Sequence, residues 1–158
     1  KSVYPHQIAF SVIPQVDEFM PDGYTKEEHK MINETKKILH DNNLKISATC
    51  VRVPIYYCHS EVISVDFEDE INLKDIINVF KSASGIKLID NGLNENYPTP
   101  SFVQGKDDIY IGRIRKDSSN NKGISFWVVS DNLRKGAALN AIQIMDSALK
   151  LGKIPKFR

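Results

Sequence analysis

Cysteine is nearly missing from these 158 residues. Only Cys50 and Cys58 occur, too few for a disulfide framework, and a reducing, cytoplasmic setting is expected. No apolar run approaches the roughly 20 residues that crossing a bilayer requires, so no membrane partner is expected. An excess of one charge is lacking too. With 21 basic against 20 acidic side chains the formal charge is +1, which gives no bulk field for nucleic acid or a lipid surface, and any anion binding has to be local. Neither G-x-G-x-x-G nor G-x-x-x-x-G-K-[ST] occurs, so no nucleotide-binding loop is visible. The opening KSVYPHQIAF has no initiator Met and none of the sections of a signal peptide, and it reads as a cut through a longer protein.

What is present suits one globular domain. Hydrophobic residues make up 41% and charged residues 26%, close to the globular average, and the length suffices for a core without disulfides or metal. Residues 7–13, an apolar run with β-branched members closed by Pro14, predict a strand leaving a surface loop. The loop over residues 15–24 carries the turn cluster Pro21, Asp22 and Gly23. Thr25 with Glu28 forms a capping box, and Met31, Ile32, Thr35, Ile38 and Leu39 mark one face of a helix over residues 26–40. Extended stretches follow at 45–53 and 57–68. In the second, Ile63, Val65 and Phe67 alternate with polar residues as a half-buried strand requires.

Asn72 caps a short helix over residues 73–82, and Gly85 precedes a strand at 86–89. Residues 90–107, with their Asn, Gly and Pro content, read as loop. Strands are predicted at 109–115 and 124–129 with SSNNKG as a hairpin connection. From Asn132 onward, Leu133, Ala137, Ala141, Met145 and Leu149 give a final helix with an Ala-rich face suited to close packing. The order lacks a regular parallel βαβ repeat. It predicts an α+β fold with a mixed, largely antiparallel sheet and helices on one face.

The densest chemical constellation is RVPIYYCHSE, residues 52–61. Cys58 and His59 invite reading as a thiolate pair, but neighbours on a strand point to opposite faces, so the two meet only if the backbone turns. A small buried thiol is the plainer reading of Cys58. Arg52 offers a planar fork for a carboxylate, and His59 supplies an imidazole, the side-chain type most often used for acid/base work. Taken singly, a strand-end Arg is more often a surface residue and a lone His a satisfied polar group. Seven residues of straight strand would part Arg52 from His59 by about 23 Å, so a shared small substrate requires a bend near Pro54. Glu27 and Lys30 share a helix face, and the dipole alone accounts for Glu27 and Glu28. The segment SDNLRKGAALN, residues 130–140, is explained by an N-cap before a packed helix, although a helix start can also receive phosphate.

Several long segments in order, PHQIAFSVIPQVD, GYTKEEHKMINETKKIL, ISATCVRVPIYYCHSEVISVDFE, NENYPTP, GKDDIYIGRIRKD and WVVSDNLRKGAALNAIQI, resemble the aspartate-semialdehyde dehydrogenase family, in the part that follows its catalytic cysteine. The resemblance implies the fold of the C-terminal domain of aspartate-semialdehyde and glyceraldehyde-3-phosphate dehydrogenases, and it covers residues 1–158 as a substrate-binding and dimerisation domain. It implies NADPH-dependent reductive dephosphorylation of L-aspartyl 4-phosphate to L-aspartate 4-semialdehyde and phosphate, a step of lysine, threonine and methionine biosynthesis. By motif, Arg52 would bind the substrate α-carboxylate and His59 would be the acid/base. Glu27 would meet the amino group, Lys30 would help hold the phosphate, and Asn132 would touch NADP held mainly by another domain. No metal is implied.

The family's nucleophile and its Gly-rich cofactor loop belong to segments upstream of Lys1, so the chain alone is expected to form a homodimer without turnover. Cys58 stands where this branch often carries Gly, and Ser11 where relatives usually carry Asn. Two alternatives are a related acyl-phosphate reductase, disfavoured by EEHK and CVRVP, and a non-enzymatic dimerisation module.

Overall fold

A computed structural model describes residues 3–89 and 95–154 and divides into two units, Lys1–Ile55 and Tyr56–Arg158. The first unit is organised around α1, Lys26–Leu39. Its capping box forms as predicted: Thr25 Oγ1 accepts the Glu28 N–H at 3.4 Å, and Glu28 Oε2 accepts the Thr25 N–H at 2.7 Å. The second Glu28 oxygen, Oε1, accepts the Cys50 N–H at 2.8 Å, so one buried carboxylate joins the helix start to the chain 22 residues on. Hydrogen bonds from the Thr25 and Cys50 N–H groups hold the Glu28 carboxyl below its ordinary range. The helix stops one residue short of the predicted end, because His40 takes a left-handed φ of 54° and caps it.

The predicted strand at 7–13 is not formed. Phe10 sits at φ 60°, the Ser11 N–H bonds back to Ile8 O, and only Ile13 pairs, with Arg52. A ladder needs a neighbour along its length, and residues 45–51, predicted extended, form no strand. The apolar run has no alternation that would bury one face, and Phe10 and Val12 are exposed. The apolar stripe of α1 is also largely uncovered, with Ile38 and Leu39 exposed.

The second unit holds a four-stranded sheet of β1 (His59–Asp66), β2 (Ile86–Leu88), β3 (Ile109–Lys116) and β4 (Gly123–Ser130), in the order β1-β4-β3-β2. β1 and β3 flank β4 antiparallel, while β2 lies parallel to β3. This is the mixed, largely antiparallel sheet that the sequence predicts. Helix α2, Leu73–Ser82, begins at Asn72, whose side chain accepts the Lys74 N–H. Its apolar face covers one side of the sheet, packing Ile76, Ile77 and Phe80 on Ile111, Ile114, Ile124 and Phe126. Phe80 and Phe126 meet with ring centroids 5.2 Å apart.

Beyond Ile111, β3 returns to the core because it is bulged. Gly112 pairs with Trp127 and Arg115 with Ser125, so β3 carries one extra residue there. Arg113 absorbs it at φ 54°, and the parity change returns Ile114 to the core side.

On the opposite side lies the short helix α3, Pro100–Val103, in the segment read as loop. Of that predicted loop, residues 90–94 lie outside the described residues. Pro98 presses on β3: a Cβ at Gly112 would lie 2.6 Å from Ile89 O and 2.6 Å from Pro98 Cδ. The Trp127 Nε1–H donates to Pro98 O at 2.8 Å, which fixes the same segment from the next strand.

The final helix is broken. A wide π-type turn over Arg134–Ala138, with Ala137 at φ −143° and ψ −109°, precedes α4, Leu139–Lys150. The predicted Ala-rich packing face is not buried, and Ile142, Ile144 and Met145 are exposed. Gly136, inside the turn, is a poor helix former and allows the break.

Overpacking at Gly112 strikes a backbone oxygen that cannot step aside. We expect Gly112→Ala to destabilise the second unit by about 1–3 kcal/mol, seen as a lowered urea midpoint with unchanged slope.

Candidate functional site

The sequence-predicted residues fall in both units, Glu27, Lys30 and Arg52 in the first and His59 and Asn132 in the second. In the first, Glu27 and Lys30 lie on the first turns of α1 and pair with each other at 3.3 Å, as their spacing predicts. Arg52 is held by its backbone, which exchanges both hydrogen bonds with Ile13 at 2.9 and 3.0 Å. Its guanidinium lies 5.3 Å from the centroid of the Tyr4 ring. Among the described residues it has no carboxylate partner, so its fork remains available to an anion. Beyond Arg52 the chain does turn at Pro54, where the Ile55 N–H bonds to Val53 O at 2.8 Å.

In the second unit the sheet joins two segments that look unrelated in sequence. His59 opens β1 and pairs with Ser130, the last residue of β4. Its imidazole is exposed and has no partner among the described residues. Two residues past Ser130, Asn132 Oδ1 accepts the Cys58 N–H at 3.0 Å. The fold therefore sets the CHSE and SDN motifs side by side.

Cys58 and His59 do not form a pair. Cys58 turns the chain at φ 72°, a left-handed conformation that costs a side-chain-bearing residue about 1–2 kcal/mol and glycine almost nothing. A glycine, which the family resemblance leads one to expect here, would have a backbone reason. The Cys58 side chain packs with Val103 and Val129, and its Sγ lies 3.5 Å from Pro100 O. Burial, and then the charge of Asp131, push the thiol pKa up, which opposes thiolate formation.

Asp131 is the residue that sequence reasoning missed. It is 4% exposed, yet its carboxylate is fully engaged. Oδ2 accepts the Gly105 N–H at 2.8 Å, and Oδ1 accepts the Leu133 and Arg134 N–H groups at 2.9 and 3.2 Å. The Gly105 bond, with those from Leu133 and Arg134, holds its pKa below the usual carboxylate value. Asp one residue past a strand and before two free N–H groups is an N-cap signal. Its bond to Gly105, 26 positions away, has no local signature. Arg134 then pairs with Asp107, drawing the GKDD segment to the same corner.

Asp131→Ala would leave the Gly105 and Leu133 N–H groups without their acceptor and Arg134 with the Asp131 carbonyl alone. We expect a loss of about 3 kcal/mol at pH 7, and a smaller one for Asp131→Asn, by urea denaturation. Because the folded pKa is depressed, the stabilisation is complete above the unfolded value of about 4 and disappears as pH falls through the folded one. The gap between wild type and Asp131→Ala should therefore narrow in acid.

Residues 1–135 match the family described as semialdehyde dehydrogenase, dimerisation domain. The aspartate-semialdehyde dehydrogenase of Aquifex aeolicus is 53% identical over 151 residues, covering 96% of this chain and 44% of that protein. That of Bacillus subtilis is 49% identical over 150 residues, with coverage of 94% and 43%. The solved structure of aspartate semialdehyde dehydrogenase II from Vibrio cholerae, complexed with ASA, superposes with a TM-score of 0.89 at 42% identity, covering 95% of this chain and 44% of that one. The chain thus spans less than half the length of these relatives. With residues 1–135 matched and the mixed α+β fold shared, the chain belongs to the semialdehyde dehydrogenase dimerisation-domain family.

Proposed function

We propose that this chain is the substrate-binding and dimerisation domain of an aspartate-semialdehyde dehydrogenase, acting in the NADPH-dependent conversion of L-aspartyl 4-phosphate to L-aspartate 4-semialdehyde and phosphate. The observation that carries the reading is an exposed imidazole without a partner among the described residues, His59, fixed at the head of β1 where the family motif has its acid/base. The relative complexed with ASA supports the substrate class.

In this reading Arg52 receives the α-carboxylate by its fork. The Glu27–Lys30 pair opens to place Glu27 on the substrate amino group and Lys30 on the phosphate. His59 takes the proton from the attacking thiol and returns one to the leaving group. In this reading the attacking thiol is neither cysteine of this chain, since neither stands at the family's nucleophile motif and Cys58 is buried with its pKa pushed up. Both it and the dinucleotide fold therefore come from outside these residues.

The residues present fit one edge of a dinucleotide. Asn132 is half-buried with its carbonyl occupied, which leaves the Nδ2 donors for a carboxamide oxygen. NADPH supplies the hydride when bound. The sheet side that carries Trp127 is only partly covered by α3 and Pro98 and holds a cavity of about 490 Å³ lined by residues including Tyr97, Arg113 and Trp127; in this reading it is the surface for a second copy.

Joined to the dinucleotide-binding half of the Aquifex relative, the chain should reduce NADP with L-aspartate 4-semialdehyde and phosphate, while the 158 residues alone should not. His59→Asn should lower kcat by about 10²–10⁴-fold, and Arg52→Leu should mainly raise KM for the semialdehyde. A folded, dimeric fusion without turnover, or turnover by the chain alone, would overturn the reading.

A further inference from the structure

We propose that Asn132 is a positioning residue for His59 as well as a ligand contact, so that one side-chain amide ties a bound carboxamide to the placement of the imidazole. The ligand half of this statement rests on the proposed function. The positioning half rests on geometry alone.

A backbone N–H can only donate, so the Cys58 N–H at 3.0 Å from Asn132 Oδ1 fixes which way the amide faces. The carbonyl points at Cys58, and the Nδ2 donors point away. Both ends of this bond are constrained. On one side, Asn132 follows directly on Asp131, whose carboxylate and carbonyl together gather the N–H groups of Gly105 and of residues 133–136. On the other side, Cys58 stands at φ 72°, a conformation that its own side chain disfavours.

Without an acceptor for its N–H, Cys58 would relax toward the extended region, and the direction from which the chain enters β1 would change. His59 is the next residue and the first of β1, so its imidazole follows that direction. Its backbone already faces Ser130, which places the clamp two residues beyond its own ladder partner. Any group that draws on the Nδ2 donors orients the amide further and strengthens the clamp.

Three variants of the whole chain test the positioning half by amide exchange and by the HN–Hα coupling of Cys58, which reports φ. In Asn132→Leu, with the fold kept by circular dichroism, Cys58 N–H exchange should rise by about tenfold or more, and the coupling should move toward its extended-chain value. Asn132→Asp keeps an acceptor and should restore both. If the Leu variant does not fold, Asn132→Ser, whose side chain is too short to reach, takes its place. Unchanged exchange and coupling in the Leu or Ser variant overturn the clamp.

The ligand half is read in the fusion described above. NADP should slow Cys58 exchange by about fivefold or more in the wild type, and it should have no effect in Asn132→Asp, which lacks the donors. No slowing in the wild type overturns the coupling. None of these readouts needs turnover, so an inactive fusion overturns the proposed function and leaves the clamp to be decided by its own data.

Discussion

At the end of β4 a single buried carboxylate, that of Asp131, accepts backbone N–H groups from the loop at Gly105 and from the turn at Leu133 and Arg134. The carboxylate itself is buried although the residues it holds are exposed, and the Gly105 and Leu133 N–H groups have it as their acceptor. The neighbours on either side in sequence then carry the arrangement outward. Ser130 pairs with His59, and Asn132 holds the Cys58 N–H. A group buried for structural reasons thereby determines where an exposed imidazole stands.

The first unit uses the same physics at smaller scale. Glu28 is an ordinary capping-box residue by sequence, but its second oxygen reaches the Cys50 N–H, two residues before Arg52. In both units a carboxylate that a helix start would favour anyway is shared with a distant backbone segment, the Cys50 N–H near Arg52 in the first and the Gly105 N–H in the second, where Asp131 itself adjoins Asn132. The two carboxyls respond to acid with the same sign, each depressed by its N–H partners.

Legibility in the sequence followed locality. The caps at Thr25 and Asn72, helix α2, the alternation of β1 and the hairpin through SSNNKG were readable because their causes lie within a few residues. The bulge at Arg113 was not, since it shows only against the register of β4. The supposed strand at 7–13 failed because apolar content does not supply a pairing partner, and the last helix failed to bury its Ala-rich face. Within the candidate site, Arg52, His59 and Asn132 were nameable from motifs. Asp131 was not, because its decisive contact is to Gly105, and the left-handed φ of Cys58 became intelligible only once Asn132 was seen to hold it.

An ionised Asp131 carboxylate locks this corner, and its carboxyl carbon can be titrated directly by NMR. It should titrate below the ordinary aspartate value of about 3.9, and the Gly105, Leu133 and Cys58 amide signals should move with the same midpoint. An ordinary midpoint, with those three amides unmoved, would contradict the account.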